Sequence, residues 1–118
     1  MILTASGDTT ARAQVVAKFL KEVGRTEIPI GVGVPTSLPV GPLFAWAQDM
    51  PLSSYPGTVY FDGVAGAIDI IQGLAAQGQT VDIIAIAPCT NFPSLLQRYP
   101  DVVNYASVKV RAPHMHLN

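Results

Sequence analysis

Residues Val81-Asp82-Ile83-Ile84-Ala85-Ile86-Ala87 carry one charge, near the entry, and are otherwise apolar. A run this short does not span a membrane, and it reads as a strand covered on both faces, as in a parallel sheet. Parallel neighbours need a crossover connection, usually a helix, so the run calls for helices before and after it. The sequence places both. Asp62 caps a helix from Gly63 to Gln77, with Val64, Ala67, Ile68, Ile71 and Leu74 on one face and Gly78 as its stop. On the far side, the turn Pro88-Cys89-Thr90-Asn91 leads into a short helix, Phe92 to Tyr99, which Pro100 halts.

The same alternation begins earlier in the chain. Ile2-Leu3-Thr4-Ala5 reads as a buried strand closed by Ser6-Gly7. Asp8 or Thr9 then caps a helix whose apolar positions are Ala13, Val16, Ala17, Leu20 and Val23, with Gly24 as a left-handed stop. Lys18 and Lys21 sit near the negative end of its dipole. Ile28 to Val34 forms a second strand, with Pro29 at the entry, where a missing donor is tolerated. Residues 35–61 hold Pro35, Pro39, Pro42, Pro51 and Pro56 around Phe44 and Trp46 and read as one long excursion, in which Leu43 to Asp49 could form a short helix. Ser107 to Arg111 is a last, half-exposed strand, and residues 113–118 are a tail. This order predicts an α/β fold: a Rossmann-like, three-layer arrangement with a mostly parallel sheet of about four strands and helical crossovers, in a single domain over residues 1–112.

Composition excludes several classes. With 49% apolar and 13% charged residues, the chain is not intrinsically disordered. A formal charge of −1 provides no basic field for phosphates, so nucleic acid is not expected as a partner. No apolar run approaches the roughly 20 residues of a membrane helix. The opening residues lack the charged region and cleavage site of a secretory signal, and the expectation is a cytoplasmic protein. The single cysteine, Cys89, rules out a disulfide framework within the chain.

Open α/β sheets bind ligands at the carboxyl ends of their strands. Two turns with suitable residues occupy such ends, Ser6-Gly7-Asp8-Thr9-Thr10 and Ala87-Pro88-Cys89-Thr90-Asn91. Asp, Thr and Asn are also the preferred helix caps, so capping is the plainer reading of both. His114 and His116 would point the same way on an extended chain and could begin a metal site, but a solvated tail is the simpler alternative. Cys89 has no histidine near it in sequence and reads as a small buried thiol rather than a nucleophile. Arg12, Lys18, Lys21 and Arg25 fall at helical spacing and read as a solvated face. Trp46 and Tyr55 could stack on a ring-shaped ligand, although packing of the loop onto the sheet is the commoner use. No closely paired carboxylates and no glycine-rich phosphate loop are present.

Three segments together resemble the inosine-uridine-type nucleoside hydrolases. They are Ser6-Gly7-Asp8-Thr9-Thr10-Ala11-Arg12-Ala13, then Glu22-Val23-Gly24-Arg25-Thr26-Glu27-Ile28-Pro29-Ile30-Gly31-Val32-Gly33, and Ala85-Ile86-Ala87-Pro88-Cys89-Thr90-Asn91-Phe92. The resemblance runs from about residue 2 to about residue 112. It implies an enzyme lineage that hydrolyses the N-glycosidic bond of ribonucleosides to ribose and free base, with calcium holding the ribose diol and activating water. Matched by motif, Thr90 would offer its backbone carbonyl to calcium, while Asp8 and Asn91 would face the ribonucleoside. The family opens with a strand bearing an aspartate cluster, Asp-x-Asp-x-x-x-Asp-Asp, which supplies most calcium ligands and the general base. The matched part begins after that strand and leaves the family pattern at Pro113, where a Met-Gly-Gly turn is expected. The resemblance thus implies an inner slice, with Thr90 as a lone metal ligand and no catalytic base, so the isolated chain is not expected to hold calcium. The alternative is a non-catalytic nucleoside- or protein-binding module on the same fold.

The slice carries an expectation for assembly. In the common doubly wound order the first strand lies at the centre of the sheet. Without it, either Ile2–Ala5 pairs directly with Val81–Ala87, or backbone edges stay open. Open apolar edges recruit other chains, so a homo-oligomer with contacts at these strands is expected.

Overall fold

The computed structural model describes residues 1–37, 39 and 43–110. Pro42, Arg111, the departure at Pro113 and the His114–His116 pair therefore lie outside the described residues. The described chain is α/β, and every strand pairing in it is parallel. Its elements are β1 (Ile2–Leu3), α1 (Thr9–Glu22), β2 (Ile30–Gly31), α2 (Phe44–Ala47), β3 (Val59–Tyr60), α3 (Gly63–Ala75), β4 (Val81–Ala85), α4 (Phe92–Arg98) and β5 (Ala106–Val110). Short 3₁₀ turns occupy Leu52–Ser54 and Pro100–Asn104.

The helices begin and end where local chemistry requires. Asp8 caps α1 by accepting from the Ala11 N–H at 3.0 Å, and Asp62 caps α3 by accepting from Ala65 at 3.1 Å. Gly24 (φ +72°) and Gly78 (φ +75°) take the left-handed conformation just beyond α1 and α3, as expected from sequence.

The sheet differs from the expectation in two ways. First, a strand lies inside the proline-rich excursion: β3 pairs with β2 at Ile30–Val59 and Gly31–Tyr60. Second, the strands form two sheets, a three-stranded one in the order β1-β2-β3 and a two-stranded one of β4 and β5. Ile2–Ala5 does not pair with Val81–Ala87, so of the two arrangements foreseen for these strands, the open one is found.

The first sheet is covered on both faces. Ile30 and Val32 point into a core with Ala13, Ala17 and Leu20 of α1 and with Met50, Leu52 and Tyr55 from the excursion. On the opposite face, Gly31 lets the backbone of α3 approach at Gly63, whose N–H donates to the Val32 carbonyl at 2.8 Å. A side chain at residue 31 would strike Met1 and Leu3, so glycine is what permits the contact. The second sheet packs one face, carrying Val81, Ile83 and Ala106, against a core of Val64, Ile71, Leu95 and Val102.

Its other face corrects the reading of Val81–Ala87 as covered on both sides. Burial alternates along β4, and Ile84 and Ile86 are 71% and 69% exposed. The physical reason is the split: no described helix lies over that face of the two-stranded sheet. Tyr55 is buried and donates its hydroxyl to the Ile28 carbonyl at 2.7 Å, which makes it a packing residue. Trp46 is half-exposed beneath the Lys18 ammonium, 4.9 Å from the ring centre.

No described helix is long and apolar enough to cross a membrane.

Candidate functional site at the strand carboxyl ends

The two turns singled out from the sequence meet. The Ser6 N–H donates to Thr90 Oγ1 at 3.2 Å, and Asn91 Nδ2 donates to the Thr4 carbonyl at 3.0 Å, across 84 and 87 positions of sequence. Asn91 also accepts from the Val34 N–H through Oδ1 at 2.8 Å. One side chain thereby joins the ends of β1 and β2 to the turn after β4.

Thr4, Ser6, Thr9 and Asn91 are buried polar residues, and they all lie here. Thr4 Oγ1 donates to the Thr9 carbonyl at 2.9 Å and accepts from the Gly33 N–H at 3.2 Å, while Thr9 Oγ1 donates to the Gly33 carbonyl at 2.7 Å. Among the described residues no buried side-chain nitrogen or oxygen lacks a hydrogen-bond partner, which is what makes burial of this cluster tolerable. Gly33 is required by close approach, because a Cβ there would overlap the Thr4 carbonyl oxygen and the Asn91 amide.

Ser6 and Gly7 are consecutive left-handed residues, at φ +75° and +67°. For a residue with a side chain this conformation costs about 1–2 kcal/mol. Ser6 is held in it by Thr90 on its N–H and by Arg12 Nε, which donates to its carbonyl at 2.6 Å. Gly7 is clamped by Thr36: its N–H donates to Thr36 Oγ1 at 2.6 Å, and its carbonyl accepts from the Thr36 N–H at 2.9 Å. Backbone held in such a region by several surrounding contacts is a mark of functional turns.

The candidate residues separate in this geometry. Asp8 is exposed and caps α1, so the capping reading describes one of its oxygens. Asn91 stands at the start of α4 but makes no capping hydrogen bond; its amide is committed to Thr4 and Val34 instead. Capping is therefore the wrong account of Asn91. The Thr90 side chain holds Ser6, and its carbonyl accepts no backbone hydrogen bond among the described residues.

Two further readings are corrected. Cys89 is exposed, not buried, because the turn lifts it above the end of β4. Arg12, Lys21 and Arg25 are exposed, as a solvated face requires, but Arg12 and Lys18 also make specific contacts. Arg12 grips Ser6, and Lys18 reaches the Trp46 carbonyl at 2.7 Å and Asp49 at 3.2 Å, holding that carboxyl below its usual range. Arg25 pairs with Glu27 at 2.7 Å in solvent.

Arg12 and Thr36 had not been singled out for this turn. The left-handed Ser6 had only the following glycine as a signal, and Thr36 had none.

A cavity of about 490 Å³ adjoins the turns, with Asn91 and Cys89 in its wall. Neither Asp8 nor Thr90 lines it. Among the described residues, no three His, Cys, Asp or Glu side chains gather closely enough to hold a metal ion. The chain matches no family model, no curated protein and no solved structure.

Proposed function

We propose that this chain is a nucleoside-hydrolase-like α/β unit, related to enzymes that hydrolyse ribonucleosides, whose own residues serve recognition without the chemistry. The single observation behind the reading is the meeting of the Ser6-Gly7-Asp8 and Pro88-Cys89-Thr90-Asn91 turns at the carboxyl ends of parallel strands. Motifs far apart in sequence converge where α/β folds of this type place their ligands. Asp8 keeps a carboxylate at the protein surface there, suited to accept hydrogen bonds from ribose hydroxyls.

The donor set does not fit calcium. The ion takes six to eight oxygen ligands, mostly carboxylates and carbonyls, and the resemblance offers it Thr90 alone. The hydrolytic machinery of the lineage would therefore have to come from other residues.

The test is release of free base from inosine and uridine by the purified chain with millimolar calcium. The expected rate is that of the enzyme-free control. Turnover that survives repurification and disappears with a chelator would overturn the reading. Asp8→Ala is expected to weaken ribose or nucleoside binding in calorimetry, whereas Thr90→Ala leaves any calcium affinity nearly unchanged because the carbonyl remains.

A further inference from the structure

The cavity beside the turns lies between the two sheets. Ile2, Leu3 and Ala5 form one side, β4 with its extension to Ala87 forms the other, and Ile71 of α3 contributes to the wall.

Among the described residues, both sides present unpaired backbone. The Ile2 and Thr4 N–H groups donate to Pro29 and Gly31 at 2.9 and 3.0 Å, which directs the main-chain groups of Ile2 and Thr4 toward β2. Strand alternation turns those of Leu3 and Ala5 the other way, toward the cavity. The Val81 N–H donates to Tyr105 at 3.0 Å, so Val81, Ile83 and Ala85 serve β5. Asp82, Ile84 and Ile86 turn theirs away from β5, also toward the cavity.

The two edges run in the same direction. Their carboxyl ends are tied by the Ser6–Thr90 and Thr4–Asn91 hydrogen bonds, and Met1 and Val81 border the cavity at the amino ends. The lining is apolar. Asp82 is its one charged side chain among the described residues, and Lys109 already stands 3.6 Å from that carboxylate.

We infer that this slot is a strand-addition site. It takes one extended segment of another polypeptide, about as long as the five-residue β4, pairing in parallel with β1 on one edge and β4 on the other. The segment is rich in Val and Ile, because one of its faces meets Ile71 and the lining is otherwise largely apolar.

The described strands of a folded second copy cannot supply such a segment. Each described strand of this chain already pairs on at least one edge, whereas the slot needs an occupant free on both. The inference does not depend on the nucleoside reading, because the turns and the slot use different backbone groups.

The probe is a dansyl-labelled peptide with a Val-Ile-Val-Ile-Val centre and a lysine at each end, titrated into the full chain by fluorescence anisotropy. Its control has the same sequence with alternate backbone nitrogens methylated. The expected result is one-to-one binding that weakens at least tenfold on methylation. In hydrogen exchange, the Leu3, Ala5, Ile84 and Ile86 amides should slow at least tenfold when the peptide is bound. Ile84→Lys, at a side chain already exposed to solvent, should weaken peptide binding without lowering the unfolding temperature. Equal binding of the methylated peptide, or binding without amide protection, overturns the proposal. So does a dimer that Ile84→Lys dissolves and the peptide does not, since the occupant would then be a second copy.

Discussion

Truncating Asn91 tests whether this side chain is a structural staple. Asn91→Ala removes the donor to the Thr4 carbonyl and the acceptor of the Val34 N–H, which lie at 3.0 and 2.8 Å. Thr4 is only 6% exposed, so its carbonyl loses a partner that water replaces poorly, whereas Val34 is 36% exposed and its N–H can be hydrated. A buried group left unsatisfied costs about 1–3 kcal/mol, and a partly hydrated one less. The sum, about 1–4 kcal/mol, is a large share of the roughly 5–15 kcal/mol that holds a domain together. With a mid-range urea slope of about 2 kcal/mol per molar, the unfolding midpoint should fall by about 0.5–2 M at constant slope, followed by circular dichroism. Asn91→Asp adds a sign test. It keeps the acceptor for Val34 but sets a carboxylate against the Thr4 carbonyl, which raises its folded-state pKa. Its stability should be poor at neutral pH and recover relative to Asn91→Ala as acid protonates the group and restores a donor. A loss below about 0.5 kcal/mol for Asn91→Ala, the range of an ordinary surface change, would refute the staple.

Three other perturbations have defined outcomes. Gly33→Ala drives a methyl group onto the Thr4 carbonyl and the Asn91 amide, and should lower the melting temperature at least as far as Asn91→Ala does in a side-by-side thermal scan. Tyr55→Phe should cost about 1 kcal/mol near neutral pH by deleting the hydroxyl bond to Ile28. Burial, then the nearby Glu27 charge, pushes the Tyr55 phenol up, so its contribution is intact below about pH 10 and is lost as pH rises through the folded value. Denaturant titrations should show a shallower alkaline decline in the Phe variant. Asp62→Asn keeps a capping side chain for α3 but ends the paired hydrogen bonds from Arg98, both at 3.0 Å. Arg98, with help from the Ala65 N–H, holds the Asp62 carboxyl below its usual range. The stability it adds is present above the ordinary carboxylate pKa and lost as pH falls through the lowered value, so the gap between wild type and variant should close in thermal melts as pH falls through and below the ordinary carboxylate range. Exposure of this pair to solvent keeps the effect small.

The legible parts of the fold were those governed by neighbours in sequence. The starts of α1, α3 and α4 followed from Asp8, Asp62 and the turn before Phe92, and the stops from Gly24 and Gly78. The strand at Val59–Tyr60 was hidden because it is two residues long, close behind Pro56 and Gly57, and is defined by its pairing with β2 rather than by any pattern of its own. The division into two sheets was equally hidden, since an apolar run such as Val81–Ala87 looks the same whether its second face is covered or bare. At the site, the two turns could be singled out by residue type. The staple role of Asn91 could not, because it depends on partners at Thr4 and Val34 that only the folded chain brings near. Arg12 illustrates the same limit: its helical spacing matched a solvated face, yet its guanidinium turns back to the carbonyl of a strained residue six positions earlier.

The two cores also set an order in time. The first draws its buried and flanking residues from Ala13 to Val59, the second from Val64 to Ala106, and the two do not interleave in sequence. A chain made amino end first, at about 5–20 residues per second, therefore has everything the first core needs several seconds before the second is complete. For that interval β1 stands beside nothing on its open edge, and only later does the turn carrying Asn91 arrive to pin Thr4 and Val34. Asn91 is thus the latch between an early half and a late half. The nascent chain spends the time before that turn arrives as a small sheet whose β1 edge is bare to whatever extended segment is nearby.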